Sequence, residues 1–199
     1  MAPNRRCPNC GSTRVTLERP SPYAFDWSGL SGVVLVGDGV VVSDCAECRE
    51  TTTTIRNLPQ LLQVIGLALV LGGPGLTGQD LAYLRSLFEI SQGELAQATG
   101  RGRRETIADW EARGAAPIFR TAFEELSLRV VLMSLFQAHV VASPWCCLSA
   151  RHLAQFQEAT ASFVARVEDR LATPAGHGPL ELRRTSSTGE WRPSTSKAA

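Results

Sequence analysis

Four of the six cysteines fall into two C-x-x-C pairs, Cys7-Pro8-Asn9-Cys10-Gly11 and Cys45-Ala46-Glu47-Cys48, separated by residues 11–44. Two thiolates at this spacing on a tight turn can point at one ion. Two such turns complete a tetrahedral four-sulfur set, which suits one structural Zn²⁺ per chain. Four thiolates leave no open position for water or substrate, so a catalytic metal is not expected. Four free thiols are the plainer alternative; a redox C-x-x-C would occur once, near a βαβ pattern. Cys146 and Cys147 are adjacent and poorly placed to chelate one ion together, and are expected as free buried cysteines.

A second chemistry lies in residues 77–114, which read as helix, helix, tight turn, helix. Ile107 and Trp110 sit three apart and mark the inner face of the third helix. The same helix presents Arg103, Arg104, Glu105, Thr106, Ala108 and Asp109 outward. Arg bonds guanine bidentately or neutralises phosphate, and Thr can meet a thymine methyl. An ordinary helical bundle with a solvated charged face has the same spacing. No Ser/His/Asp set, phosphate loop or carboxylate pair emerges, and the only histidines are His139, His152 and His177. The chain is therefore not expected to be an enzyme. His139, in an apolar helix, is expected as a core histidine.

The elements that position these groups follow from pattern. Arg14–Glu18 alternates and predicts a strand. Val33–Val36, Gly37-Asp38-Gly39 and Val40–Val42 predict a β-hairpin delivering the second cysteine pair. Thr51–Ile55 predicts a further strand. Leu58–Leu71 is apolar on most faces and predicts a buried helix, ended by a Gly72–Gly75 hinge. Thr77 with Asp80, and Ser91 with Glu94, have capping-box spacing. Pro117 predicts the first turn of a fourth helix, with Ala122, Phe123, Leu126, Val130 and Met133 inward, and Ser143-Pro144 interrupts it. Ser149 predicts the cap of a last helix carrying the stripe Leu153, Phe156, Phe163, Val164, Val167 and Leu171.

The expected fold is thus α+β. A small β-rich, zinc-ribbon-like module (1–57) precedes a linker helix and hinge (58–76), an all-α helix-turn-helix domain (77–140), a C-terminal helical extension (141–173) and a disordered tail (174–199) rich in Gly, Pro, Ser and Thr. The 199 residues carry a formal net charge of +1, which excludes a polybasic nucleic-acid tail and an acidic solubilising tail. Residues 77–120 contain six basic and six acidic side chains, so DNA affinity would rest on local clustering of Arg101, Arg103, Arg104 and Arg113. No apolar run is long enough to span a membrane and no secretory signal is evident. A cytoplasmic location is expected, where six cysteines remain reduced.

The run Ile90-Ser91-Gln92-Gly93-Glu94-Leu95-Ala96, followed by Arg104-Glu105-Thr106-Ile107-Ala108-Asp109-Trp110-Glu111, resembles the Xre/Cro-type helix-turn-helix. Its pairing with a double C-x-x-C module resembles the MqsA/YgiT-type zinc-finger antitoxins and their regulator relatives, over about residues 5–120. The resemblance implies a homodimer that binds double-stranded operator DNA and represses its own operon, while the zinc module neutralises a cognate toxin protein. It places Gln92 at the DNA backbone, starts the recognition helix at Arg103, Arg104 and Thr106, and makes Arg85 and Glu111 an internal ion pair. The expected DNA-binding set is Gln92, Arg101, Arg103, Arg104, Glu105, Thr106, Asp109 and Arg113. Three features depart from the family pattern: a turn one residue longer, the acidic Asp109 facing DNA, and the balanced charge. A protein-interaction adaptor without DNA binding and a stand-alone regulator are the competing readings. Dimerisation is expected through the Leu153–Leu171 stripe or the helix from Pro117.

Overall fold

The computed structural model describes residues 6–73, 75–163, 180–186 and 188–194. Among them the chain is mixed α+β, with six helices and two sheets.

The first sheet is antiparallel, in the order β1 (Val15–Glu18), β4 (Val40–Cys45), β5 (Thr51–Ile55), with Val15 opposite Cys45 and Asp44 opposite Thr51. The second is four-stranded, in the order β2 (Tyr23–Ala24), β3 (Val33–Val36), β6 (Leu180–Arg184), β7 (Trp191–Pro193), and β3 runs parallel to β6. The expected hairpin between Val33–Val36 and Val40–Val42 is therefore absent: the two segments enter different sheets. The glycines between them serve another purpose. A Cβ on Gly37, whose φ is +99°, would lie 3.0 Å from the Arg184 carbonyl oxygen, and one on Gly39 would lie 2.4 Å from the Trp191 ring. Both residues admit the C-terminal strands rather than close a turn.

Those strands also correct the expectation of a disordered tail over 174–199. Leu182 and Trp191 are fully buried. The Trp191 indole N–H donates to the Arg56 carbonyl at 2.9 Å, and its backbone N–H to the Gln60 side-chain oxygen at 3.3 Å. A tryptophan sealed into the core supplies burial that a Gly/Pro/Ser/Thr composition conceals. Residues 174–179, 187 and 195–199 lie outside the described residues.

Helix α1 (Leu58–Leu71) occupies the expected span and is buried along most of its length. The segment that follows is not a free hinge. Arg129 donates to the Leu69 carbonyl at 3.1 Å, the Val70 carbonyl at 3.2 Å and the Gly73 carbonyl, satisfying oxygens that the end of α1 leaves without helical partners. Glu125, ion-paired to Arg129, accepts from the backbone N–H groups of Gly75 (2.8 Å) and Leu76 (3.1 Å). Both side chains are buried, Glu125 at 2% and Arg129 at 4% exposure. One continuous apolar core joins Phe25, Leu35, Val40 and Ile55 of the β region to the helices. Residues 6–57 and the helical region therefore share a core instead of flanking a hinge.

Helices α2 (Gly78–Leu87) and α3 (Gln92–Ala98) begin at capping boxes made by Thr77 with Asp80 and Ser91 with Glu94. Helix α4 spans Arg104–Glu111. Helix α5 starts at Ala122, under a Thr121–Glu124 capping box, rather than at Pro117. Pro117 instead bridges Thr77, and the Ile118 N–H donates to the Leu76 carbonyl at 2.8 Å. The inner face of α5 differs in part from expectation: Met133 is buried and Leu126 half-buried as expected, but Leu128, Leu132 and Phe136 are buried too and Val130 is 48% exposed. The Glu125–Arg129 pair, one turn apart on the inner face, fixes that rotation. The side chains of Ala122 and Phe123 lie outside the described set.

After a π-turn at Gln137–Val141, Ser149 caps α6 (Ala150–Ala161), with His152 answering as the third residue of the box. Phe156 of α6 packs on Phe136 with ring centroids 5.2 Å apart, and Phe163 is also buried. This part of the stripe is spent inside the chain and is not a dimer surface; Val164, Val167 and Leu171 lie outside the described residues. His139 is exposed, and the buried histidine is His152. Cys146 and Cys147 are half-buried rather than buried.

Candidate metal centre and exposed arginine face

The two cysteine knuckles are copies of one local geometry. The Cys7 N–H donates to the Ser12 carbonyl at 2.8 Å, and the Gly11 N–H returns to the Cys7 carbonyl at 2.9 Å. In the second knuckle the Cys45 N–H donates to the Glu50 carbonyl at 3.0 Å, and the Arg49 N–H returns to the Cys45 carbonyl at 2.9 Å. Both turns need a left-handed residue at the same place: Gly11 with φ 74° and Arg49 with φ 59°. Strand pairing brings them together, since β1 follows the first knuckle and β4 ends at Cys45.

The result is a cluster of four sulfurs, Cys7, Cys10, Cys45 and Cys48, all within 4.8 Å of one another. Cys7 Sγ lies 3.5 Å from Cys48 Sγ, and Cys10 Sγ 3.6 Å from Cys45 Sγ. This set can hold one metal ion. The Ser12 backbone amide pulls the Cys10 thiol down, but burial and the crowding of Cys48, Cys45 and Cys7 push it up to about 12. The Cys48 backbone amide holds the Cys45 thiol below its ordinary value. A cation held by the four thiolates would displace their protons.

The expected DNA-binding residues fall into three environments. Arg103, Arg104, Glu105 and Asp109 are exposed and Thr106 is half-buried at the start and outer side of α4, while Ile107 and Trp110 are buried beneath. Arg103 stands at the cap position, and Gly100 and Gly102, with φ 67° and 68°, absorb the longer turn before it. Arg101 and Arg113 point elsewhere. The Arg101 guanidinium lies 5.4 Å from the centre of the Trp110 ring, and Arg113 donates to the Ile118 carbonyl at 2.6 Å. Both line a groove of 640 Å³ with Phe119 and Arg120.

Gln92 is held within an internal network. Its amide N–H₂ donates to Glu111 at 2.7 Å, and its oxygen accepts from Arg104 Nε at 3.3 Å. Glu111 also accepts two bonds from Arg85, at 2.6 and 3.2 Å. The Arg85–Glu111 ion pair is present, and through it one carboxylate ties α2, the start of α3 and α4 together. Helices α2 and α4 approach so closely that a Cβ on Gly78 would sit 2.4 Å from the Trp110 carbonyl oxygen.

Sequence reasoning missed Arg151, Arg183 and Arg192, which line a groove between α6 and the β6–β7 hairpin. The signal was present in the alternation Leu180, Leu182 and in Trp191, apolar residues set in a polar tail. Among the described residues no helix is long and apolar enough to cross a membrane. No family model, curated protein or solved structure matches the chain.

Proposed function

We propose that the four-sulfur cluster holds a structural Zn²⁺ and that α2, α3 and α4 form a helix-turn-helix that binds operator DNA as a homodimer. On this reading the chain is the antitoxin and autorepressor of a type II toxin–antitoxin pair, with the metal-bound β1–β4–β5 sheet meeting the toxin. Zinc–sulfur bonds of about 2.3 Å put tetrahedral ligands about 3.8 Å apart, close to the sulfur spacing here. When bound, the ion would supply charge neutralisation and folding energy. A reducing compartment such as the cytoplasm suits four thiolates.

The observation that carries the DNA reading is α4 itself. Its inner residues Ile107 and Trp110 are buried, its carboxyl end is fixed by Glu111, and Arg103, Arg104, Glu105 and Asp109 face solvent. A helix anchored on one side and free on the other can enter a major groove. The test is fluorescence anisotropy on the protein's own promoter. Arg104→Ala should weaken binding by about 1–3 kcal/mol if it reads a base. Asp109→Asn should tighten it by removing repulsion from phosphate.

A second reading, a protein-interaction adaptor that has lost DNA binding, is favoured by the exposed Asp109 and the equal numbers of acidic and basic residues in 77–120. Absence of promoter binding at low salt, together with co-purification of a partner lost on Asp109→Asn, would establish it over the repressor.

A further inference from the structure

The groove between α6 and the β6–β7 hairpin has the chemistry of an anion site. It encloses 620 Å³ and is lined by Arg151 of α6, Arg183 of β6 and Arg192 of β7, guanidiniums contributed by three separate elements. His152 also lines it and is 1% exposed. The Ser149 N–H donates to His152 Nδ1 at 3.2 Å, so the neutral ring carries its proton on Nε2. Burial lowers the His152 pKa, against the opposing effects of Glu190 and of a hydrogen bond with the Trp191 backbone.

Arg192 Nε, on a residue lining this groove, is buried and has no hydrogen-bond partner among the described residues. Buried donors are almost always paired, so this one calls for an acceptor. The neighbouring carboxylates do not supply it. Glu190 takes Arg192 Nη2 at 2.9 Å and Glu181 stands 3.9 Å from Arg183, which leaves Arg192 Nε unserved. Glu158 lines the groove opposite the hairpin. Arg151 has no ion pair among the described residues.

The geometry points to a small phosphate-bearing ligand held in this groove by Arg151, Arg183 and Arg192. A tetrahedral anion offers several oxygens in different directions, matching donors that converge from a helix and two strands, where a planar carboxylate would serve one guanidinium. The groove extends beyond the volume of a bare phosphate, which fits a phosphate monoester with an organic substituent. The site is independent of α4 and of the repressor reading.

The experiment is an NMR titration of the full chain with inorganic phosphate and, separately, with AMP, at ionic strength matched by sodium chloride. Saturable shifts of the His152 imidazole and the Arg183, Thr185 and Arg192 amides are expected. Arg151→Gln and Arg183→Gln, both surface changes, should each weaken binding about ten-fold, the value of one charge-assisted contact. Tighter binding of AMP identifies a monoester, and equal or tighter binding of phosphate identifies the free ion. Shifts reproduced by chloride, shifts confined to α4, no saturation by 10-millimolar-order ligand, or full affinity in both variants would each overturn the site.

Discussion

The two sheets are stabilised in different ways. The β1–β4–β5 sheet draws its strands from within residues 15–55 and ends at four sulfurs. Its contribution to the core is modest, chiefly Val40, Val41 and Ile55. The β2–β3–β6–β7 sheet has no cysteine and takes half its strands from the far end of the chain, sealed by Leu182 and Trp191. A small local sheet needs a cross-link because it has little apolar surface to bury; a sheet assembled from distant segments can be held by burial alone. The four-sulfur cluster is thus found where the core is thin.

Removing a metal held by the proposed four-sulfur site should have the largest effect. A chelator, or Cys45→Ser, should lower amide-exchange protection most in β1, β4 and β5, with a smaller loss in the helices that share a core with Val40 and Ile55, because structural zinc is worth on the order of 10 kcal/mol in small sites. Elemental analysis must show the metal gone; persistent protection in β5 after its loss would mean that strand pairing alone suffices. Next in size, Trp191→Ala should destabilise the second sheet and the shared core by about 3–5 kcal/mol, lowering the calorimetric midpoint by roughly 10 °C. Metal content should not change, which separates the two sheets. The smallest effect should arise within the metal centre. Arg49 holds a left-handed φ that Gly11 holds in the matching turn, so Arg49→Gly should stabilise the metal-bound form by about 1 kcal/mol, and Gly11→Ala should cost about as much. Denaturant titrations of the two variants check the opposite signs.

What the sequence made legible was local. The cysteine pairs, the span of α1 and the caps at Thr77, Ser91 and Ser149 depend on residues whose roles show in short spacings; the Arg85–Glu111 pair was implied only by the resemblance to Xre-type domains. The errors came where a distant segment decides. Gly37 and Gly39 have the composition of a hairpin turn, yet their lack of side chains accommodates Arg184 and Trp191. Gly72–Gly75 looks like a hinge because nothing nearby shows that Glu125 and Arg129 will bind its backbone. The apolar phase of α5 was misjudged for the same reason, since a buried ion pair occupies positions that hydrophobic periodicity assigns to solvent. On α4, Arg103, Arg104, Glu105 and Asp109 are exposed as expected while Thr106 and Ala108 are half-buried, and the diversion of Gln92, Arg101 and Arg113 into internal contacts required the neighbours' positions.

The parallel pairing of β3 with β6 also sets a timetable for synthesis. Strand β3 leaves the ribosome about 150 residues before its partner, an interval on the order of ten seconds at ordinary elongation rates. During that interval Val33 and Leu35 have no β6 beside them and the Gly39 recess has no indole. The cysteine knuckles and β1, β4 and β5 are all available early, so metal capture can precede completion of the protein. A nascent chain halted before Leu180 would carry all four clustered cysteines beside an open, apolar sheet edge, the kind of surface that chaperones and proteases recognise.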